Sequence, residues 1–377
     1  MRIAFISPFF PLKGGISRFS GLLADELQAR GHVVRRFGFK RLYPSFLVRG
    51  HSPEVPEHVA ETSIYSLVLY NPFSWLALLR SLKCDRPDVL LFAYWTGLLA
   101  PLLFAVRKLS GIRTVVLLHN LSTHEPFMFE PFLRKLLFAS ADGFIALSGE
   151  VSGALAVSGN TKPVAELFHP VYPPFSGSQR PEKSEARRTL GYEGDVPVLL
   201  FFGYVRRYKG LDLLLRAMPS ILAAYPEARL LVAGQFYEPE SAFRELIGQL
   251  GIAGSVELRP GYASDQDAAR YFAAADAAVL PYLQASQSGV VQLAYGYGLP
   301  VIVTPAGGLA AEVEQGKTGW IAGSVSPEAI AAAVLGFLGD ELRSAMPQSV
   351  REYASGHSWE RFGGEAAGFI HSFVRQQ

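Results

Sequence analysis

Short apolar runs alternate with longer amphipathic segments along nearly the whole chain. In the first half the runs are IAFISPFF, HVVRRFGF, PDVLLFAYW, TVVLLHN and ADGFIALS; in the second they are PVLLFFGYV, ARLLVAGQF, SVELRPGY, AAVLPYL and PVIVT. Apolar runs of that length without strict alternation read as strands buried on both faces. Between them, ISRFSGLLADELQARG, LDLLLRAMPSILAAYP, ESAFRELIGQLG and DQDAARYFAAADA repeat their apolar positions at helical spacing. Steady alternation of strand and helix predicts an α/β chain with doubly wound parallel sheets. The pattern breaks at residues 171–196, where Pro, Gly, Ser and charge crowd together, and a linker is expected there. SWERFGGEAAGFIHSFVRQQ, at the end, is helical in pattern despite its glycine pair. The expected division is 1–175 and 176–355 for two domains, with a terminal helix in 356–377.

Composition narrows the class. At 377 residues the chain exceeds what one hydrophobic core usually supports, which favours two domains of roughly 170 to 190 residues. A hydrophobic share of 49% against 18% charged residues argues for a globular chain and against disorder. The single cysteine, Cys84, rules out a framework of internal disulfides and fits a reducing cytoplasm. A net charge of +2 and the lack of an extended basic stripe with base-stacking aromatics along the whole chain give no reason to expect nucleic acid. Two segments imitate membrane signals. MRIAFISPFF contains Pro8 and no small-residue cleavage site, so it reads as a first strand. Residues 89–106 carry no charge, but Gly97 and Pro101 interrupt them, and they read as a buried strand followed by a helix.

In open parallel sheets, ligands gather beyond the carboxyl ends of the strands, so the loops there carry the candidate chemistry. Residues 286–308 read SQSGVVQLAYGYGLPVIVTPAGG: Ser286 and Ser288 are helix N-cap types, Gly289 permits close backbone approach, and Gly298 and Pro300 end the helix. No Asp, Glu, Lys or Arg occurs from 277 to 311. The expectation is a helix start whose N–H groups remain for a ligand anion such as phosphate. In FFGYVRRYKG, Gly203 turns the chain and Arg206, Arg207 and Lys209 follow, two planar forks and a point charge that suit a diphosphate; a solvated basic turn is the plain alternative. Lys13, Gly14 and Gly15 form a matching loop after the first strand, either a tight turn or a place where backbone meets substrate; GGISRFSG lacks the GxGxxG spacing. LLHNLSTHE sets His119, His124 and Glu125 at another strand exit, suited to sugar contacts or proton handling. No HExxH arrangement accompanies them, and no metal is expected. His169 reads as structural.

Taken together, these segments resemble the retaining glycosyltransferases of family 4, which have the GT-B fold of two doubly wound, Rossmann-like parallel-sheet domains facing an interdomain cleft. The resemblance runs over essentially the whole chain: the Gly14 and Gly15 loop, FFGYVRRYKG, the SQSG helix start, GLPVIVTPAGG and GKTGW, and a closing SWERF segment like the helix that crosses back onto the first domain. It implies sugar transfer from a nucleotide diphosphate sugar, the donor substrate, with no cofactor or metal. It also implies roles. Arg206 and Lys209 grip the diphosphate, the backbone of Ser288 and Gly289 caps it, Gly15 approaches from across the cleft, and His119 lies near the donor sugar. Gly14, Gly203 and Tyr262 join the donor-binding set; His124 and Glu125 fall on the acceptor side.

Two departures stand out. The family's paired Glu positions fall on Ala285 and Leu293, so their contacts to the donor sugar and ribose pass to other groups, with Gln287 and Gln292 as candidates. Its Arg four residues before the Lys falls on Tyr204, and Arg206 is taken to substitute. For the acceptor, residues 30–49 combine six Arg or Lys residues with aromatics and no acid; this suits an anionic membrane surface, and equally an ordinary loop and solvated helix face. The expected activity is a cytoplasmic retaining glycosyltransferase, peripheral at the inner membrane face in the first of those cases, acting on a glycan, glycolipid or lipid-linked acceptor in cell-envelope polysaccharide synthesis. A nucleotide-sugar epimerase on the same fold and a non-catalytic sugar-nucleotide-binding or scaffold protein are the alternatives.

Overall fold

The computed structural model describes residues 1–12, 14–42, 63–121, 129–174 and 181–374, with backbone alone at 63–66. The chain divides into two units, Met1–His169 with Trp359–Gln377, and Pro170–Ser358.

The first unit carries β1 (Arg2–Ile6), β2 (Val33–Arg41), β3 (Ser63–Val68), β4 (Val89–Tyr94), β5 (Thr114–Leu118), β6 (Gly143–Ala146) and β7 (Val164–Glu166). They form one sheet in the order β3-β2-β1-β4-β5-β6-β7, and every pair is parallel. All side chains of β4 and β5 are buried, which is why they read as unbroken apolar runs. The uncharged run 89–106 is indeed β4 followed by a short turn and the helix Ala100–Ser110. Among the described residues no helix is long and apolar enough to cross a membrane. The helix Trp359–His371 packs on the helix Gly15–Ala29, and its glycine pair serves that approach: a Cβ at Gly363 would collide with Glu26.

The second unit carries β8 (Val198–Phe202), β9 (Arg229–Gly234), β10 (Val256–Pro260), β11 (Ala277–Leu280), β12 (Val301–Val303) and β13 (Gly319–Ile321). Its sheet runs β10-β9-β8-β11-β12-β13, again parallel throughout. Part of the expected linker is ordered structure here. The helix Lys183–Thr189 is held by buried Arg187, whose guanidinium donates to Asp276 at 2.7 Å and to the Ala274 carbonyl at 3.0 Å.

Of the 30–49 stretch, the described part exposes Arg30, Arg35, Lys40 and Arg41, while its aromatics turn inward. Most of its described residues form β2, with Phe37 and Phe39 fully buried; Arg35 pairs with Asp85, and Arg36 with Asp25. Residues 43–49 lie outside the described residues.

Candidate functional site

In the second unit the chain leaves β8 through Gly203, at φ +104°, whose N–H donates to the Ala233 carbonyl at 2.9 Å. Backbone crosses backbone here so closely that a Cβ at Gly234 would overlap the Gly203 carbonyl. A short 3-10 turn, Arg207–Lys209, follows and ends at Gly210, where φ is +64° and a side chain would strike the Pro281 carbonyl. The turn drives Lys209 inward. Its ammonium is buried and donates to Tyr282 Oη at 2.9 Å, which uses one of its three N–H groups. Burial lowers the Lys209 pKa, Tyr208 opposes the shift, and the nearby Arg206 guanidinium adds to it. Arg206 is exposed and lies 4.3 Å over the Tyr237 ring, itself edge-on to Tyr204 at 5.3 Å. Tyr204 has its pKa raised by burial and by Tyr237 and Tyr262, so three tyrosines gather beside Arg206.

The SQSG segment opens the helix Gly289–Gly296 as its serines suggested: Ser288 is the N-cap, and its Oγ accepts the Val290 N–H at 3.2 Å. Ser288 also lies beside the Tyr282 hydroxyl and pulls its burial-raised pKa down, which brings the Lys209 turn next to this helix start. The free helix start expected from the neutral sequence is corrected at one point. The Ser288 N–H already donates to Glu312 Oε1 at 3.0 Å, and Gln292 Nε2 donates to Glu312 Oε2 at 2.7 Å. Glu312 is the first acid after the uncharged 277–311 segment, and the 3-10 turn Gly307–Glu312 returns it beneath the helix. Burial pushes its pKa up to about 8, against the opposing pull of Gln292 and the Ser288 N–H. Gln287 is half-buried just before the cap, Gln292 is buried, and Tyr262 is half-exposed after β10.

In the first unit Gly14, at φ +144°, precedes the helix Gly15–Ala29, and a Cβ at Gly15 would meet open space. His119 is the first residue past β5; its N–H donates to the Tyr94 carbonyl at 2.9 Å. Its ring sits edge-on to Phe19 at 5.1 Å, and Phe19 also meets His169 and Trp359 in the same manner. Burial, with a smaller push from His169, lowers the His119 pKa to about 3, so its imidazole is neutral. Lys13, His124 and Glu125 lie outside the described residues.

Comparison with known proteins agrees with this layout. The family described as glycosyl transferases group 1 matches residues 196–340, and Glycosyltransferase Family 4 matches residues 13–163. The second unit thus matches the group 1 and the first unit the family 4 glycosyl transferases. A D-inositol 3-phosphate glycosyltransferase of Corynebacterium urealyticum is 32% identical over 192 residues, covering 49% of this chain; the chain spans 45% of that relative's length. Sucrose-phosphate synthase of Thermosynechococcus elongatus superposes with a TM-score of 0.78 at 19% identity, covering 99% of this chain and 98% of the other. The Anabaena protein HepE, in complex with UDP-glucose, gives 0.77 at 16% identity over 99% and 100%. Both show the GT-B fold.

Ala285 and Leu293, where the paired glutamates were expected to fall, are buried. The carboxyl group beside this helix start is that of Glu312. Sequence reasoning missed Glu312 and Tyr282. Tyr282 follows β11 by two residues, so the strand-exit rule that selected Lys209 also selects it. Glu312 had one signal, its position at the end of an uncharged segment.

Proposed function

We propose that this chain transfers a sugar from a nucleoside diphosphate sugar, with retained anomeric configuration and no metal ion. The acceptor in this reading is a glycan, glycolipid or lipid-linked saccharide of the cell envelope, met on the cytoplasmic side of the membrane. The linkage from Lys209 through Tyr282 to Ser288 carries the reading, because it places a cation and a helix start at one set of strand exits. Departure of a nucleoside diphosphate develops negative charge on its phosphates, and donors fixed before the reaction stabilise that charge without reorganising. Lys209 and Arg206 supply positive charge, and the Gly289 N–H is offered to a phosphoryl oxygen. Tyr237 and Tyr262 present part-exposed ring faces for the base. His119 of the first unit, neutral and fixed by rings, brings no charge to the reaction.

UDP and UDP-glucose in the HepE structures make uridine nucleotides the first donors to try, and the name of the Corynebacterium relative adds a phosphorylated inositol to the acceptors. The test is a panel of uridine and guanosine diphosphate sugars, read by acceptor-dependent release of nucleoside diphosphate with and without EDTA, and by NMR of the product anomer. Acceptor-dependent, EDTA-insensitive turnover with retention is expected. Donor conversion without acceptor would move the assignment to an epimerase; nucleotide binding without turnover would move it to a scaffold.

A further inference from the structure

The helices Pro72–Asp85, Ala100–Ser110 and Glu130–Ser140 follow β3, β4 and β5 and pack side by side on one face of the first sheet. Their inner sides bury Leu78 and Leu82, Leu102 and Leu103, and Leu133 and Leu137 in the core. A solvated helix layer carries polar residues on its outer side. This one carries Phe73 at 81% exposure, Leu109 at 68% and Phe132 at 60%, with Leu76 and Phe104 between them. The exposed charges on the three helices are Arg80, Lys83, Lys108 and Lys135, all basic. The two acids, Asp85 and Glu130, are partly buried, and Asp85 is paired with Arg35.

Crossover helices of a parallel sheet run side by side in one sense, and here an aromatic precedes the cations each time: Phe73 before Arg80 and Lys83, Phe104 before Lys108, Phe132 before Lys135. Each helix therefore joins exposed apolar and cationic side chains on its outer side, with Leu109 beyond Lys108. A bilayer interface matches both, with apolar side chains at the acyl boundary and ammonium groups among phosphates.

We infer that this three-helix face docks on an anionic lipid surface. The charge decides the occupant: a face with uniformly basic exposed charge fits anionic headgroups, and it repels a second copy of itself. The inference sharpens the peripheral location in the proposed function but does not depend on glycosyl transfer, since its ligand and its residues are separate from Lys209 and Ser288.

The experiment is flotation of the full chain with vesicles of phosphatidylcholine alone and with added phosphatidylglycerol, at low and high salt. Binding to the anionic vesicles that weakens with salt is expected. The variant K83E/K108E/K135E loses at least about ten-fold in vesicle affinity, given how strongly each surface cation contributes to headgroup attraction. F73S/F104S/F132S weakens binding to a similar degree while leaving its salt dependence. Thermal stabilisation by UDP, measured on each variant, checks that the second unit's site is intact, and the unfolding midpoint checks folding. Absence of binding to anionic vesicles overturns the inference, as does unchanged binding by the two folded variants or a dimer that the serine variant dissolves.

Discussion

At the strand exits of the second unit each polar group of the site adjoins the next: Lys209 bonds Tyr282, Tyr282 lies beside Ser288, and the Ser288 N–H bonds Glu312. At the strand exit of the first unit His119 is fixed by its backbone bond to Tyr94 and by the edge of Phe19. A hydrogen-bonded series passes the loss of one member to its neighbours, whereas ring packing confines it. The half that handles charge is thus coupled, and the half with the neutral imidazole is insulated.

Four changes test that contrast, beginning with the largest effect. Lys209→Ala removes the buried cation and the first link; turnover should drop by ~10²–10³ or more, in the range for loss of a preorganised charge donor. Its unfolding midpoint should hold or rise, because a buried ammonium is costly to desolvate. Retention of a tenth of the activity would place the charge-stabilising group elsewhere. Tyr282→Phe deletes only a hydroxyl, and a ~10-fold loss in kcat/KM with weaker nucleoside diphosphate binding is expected from one broken hydrogen bond. His119 provides the opposite result: its imidazole signals, followed by NMR, should not titrate between pH 5 and 8, because its pKa is held near 3.

Glu312 gives a pH dependence whose sign can be worked out. In the folded chain its carboxyl keeps its proton up to about pH 8, whereas the ordinary value is 4.5. The folded state binds more protons between those limits, so this contribution to stability is full below about 4.5 and is lost as pH rises through about 8. In denaturant titrations Glu312→Gln should gain on the wild type steadily across that window; a constant gap would show that Glu312 is ionised when folded. The smallest effect belongs to Gly15→Ala. The added methyl meets open space, so the midpoint should stay within about 1 kcal/mol of wild type or improve. A large loss of activity at unchanged stability would then report a ligand at that backbone.

Much of the fold was written in single segments, because VLLFAY and TVVLL are buried on both faces and show it locally. The helix Pro72–Asp85 was not legible: its outer side is also apolar, so it lacks the polar stripe that marks a surface helix. β7 and β13, at three residues each, are too short to leave a period. Lys209 and Ser288 could be found because each follows a strand. Glu312 could not be placed, since its partner Ser288 is 24 residues away. The pairing within the basic stretch was hidden for the same reason: Arg35 finds Asp85 at a separation of 50 residues, and no local pattern announces it.

Tyr172 fixes where this protein may be divided. Its N–H donates to the Gln292 carbonyl at 3.2 Å, and its own carbonyl lies where a Cβ on Gly296 would be, so it straps the helix that Ser288 caps. Cut at 176, the composition break, an isolated second half would leave that strap behind and release the helix. Cut before Pro170, it keeps the strap, and the second unit can be tried alone for the nucleotide binding proposed above.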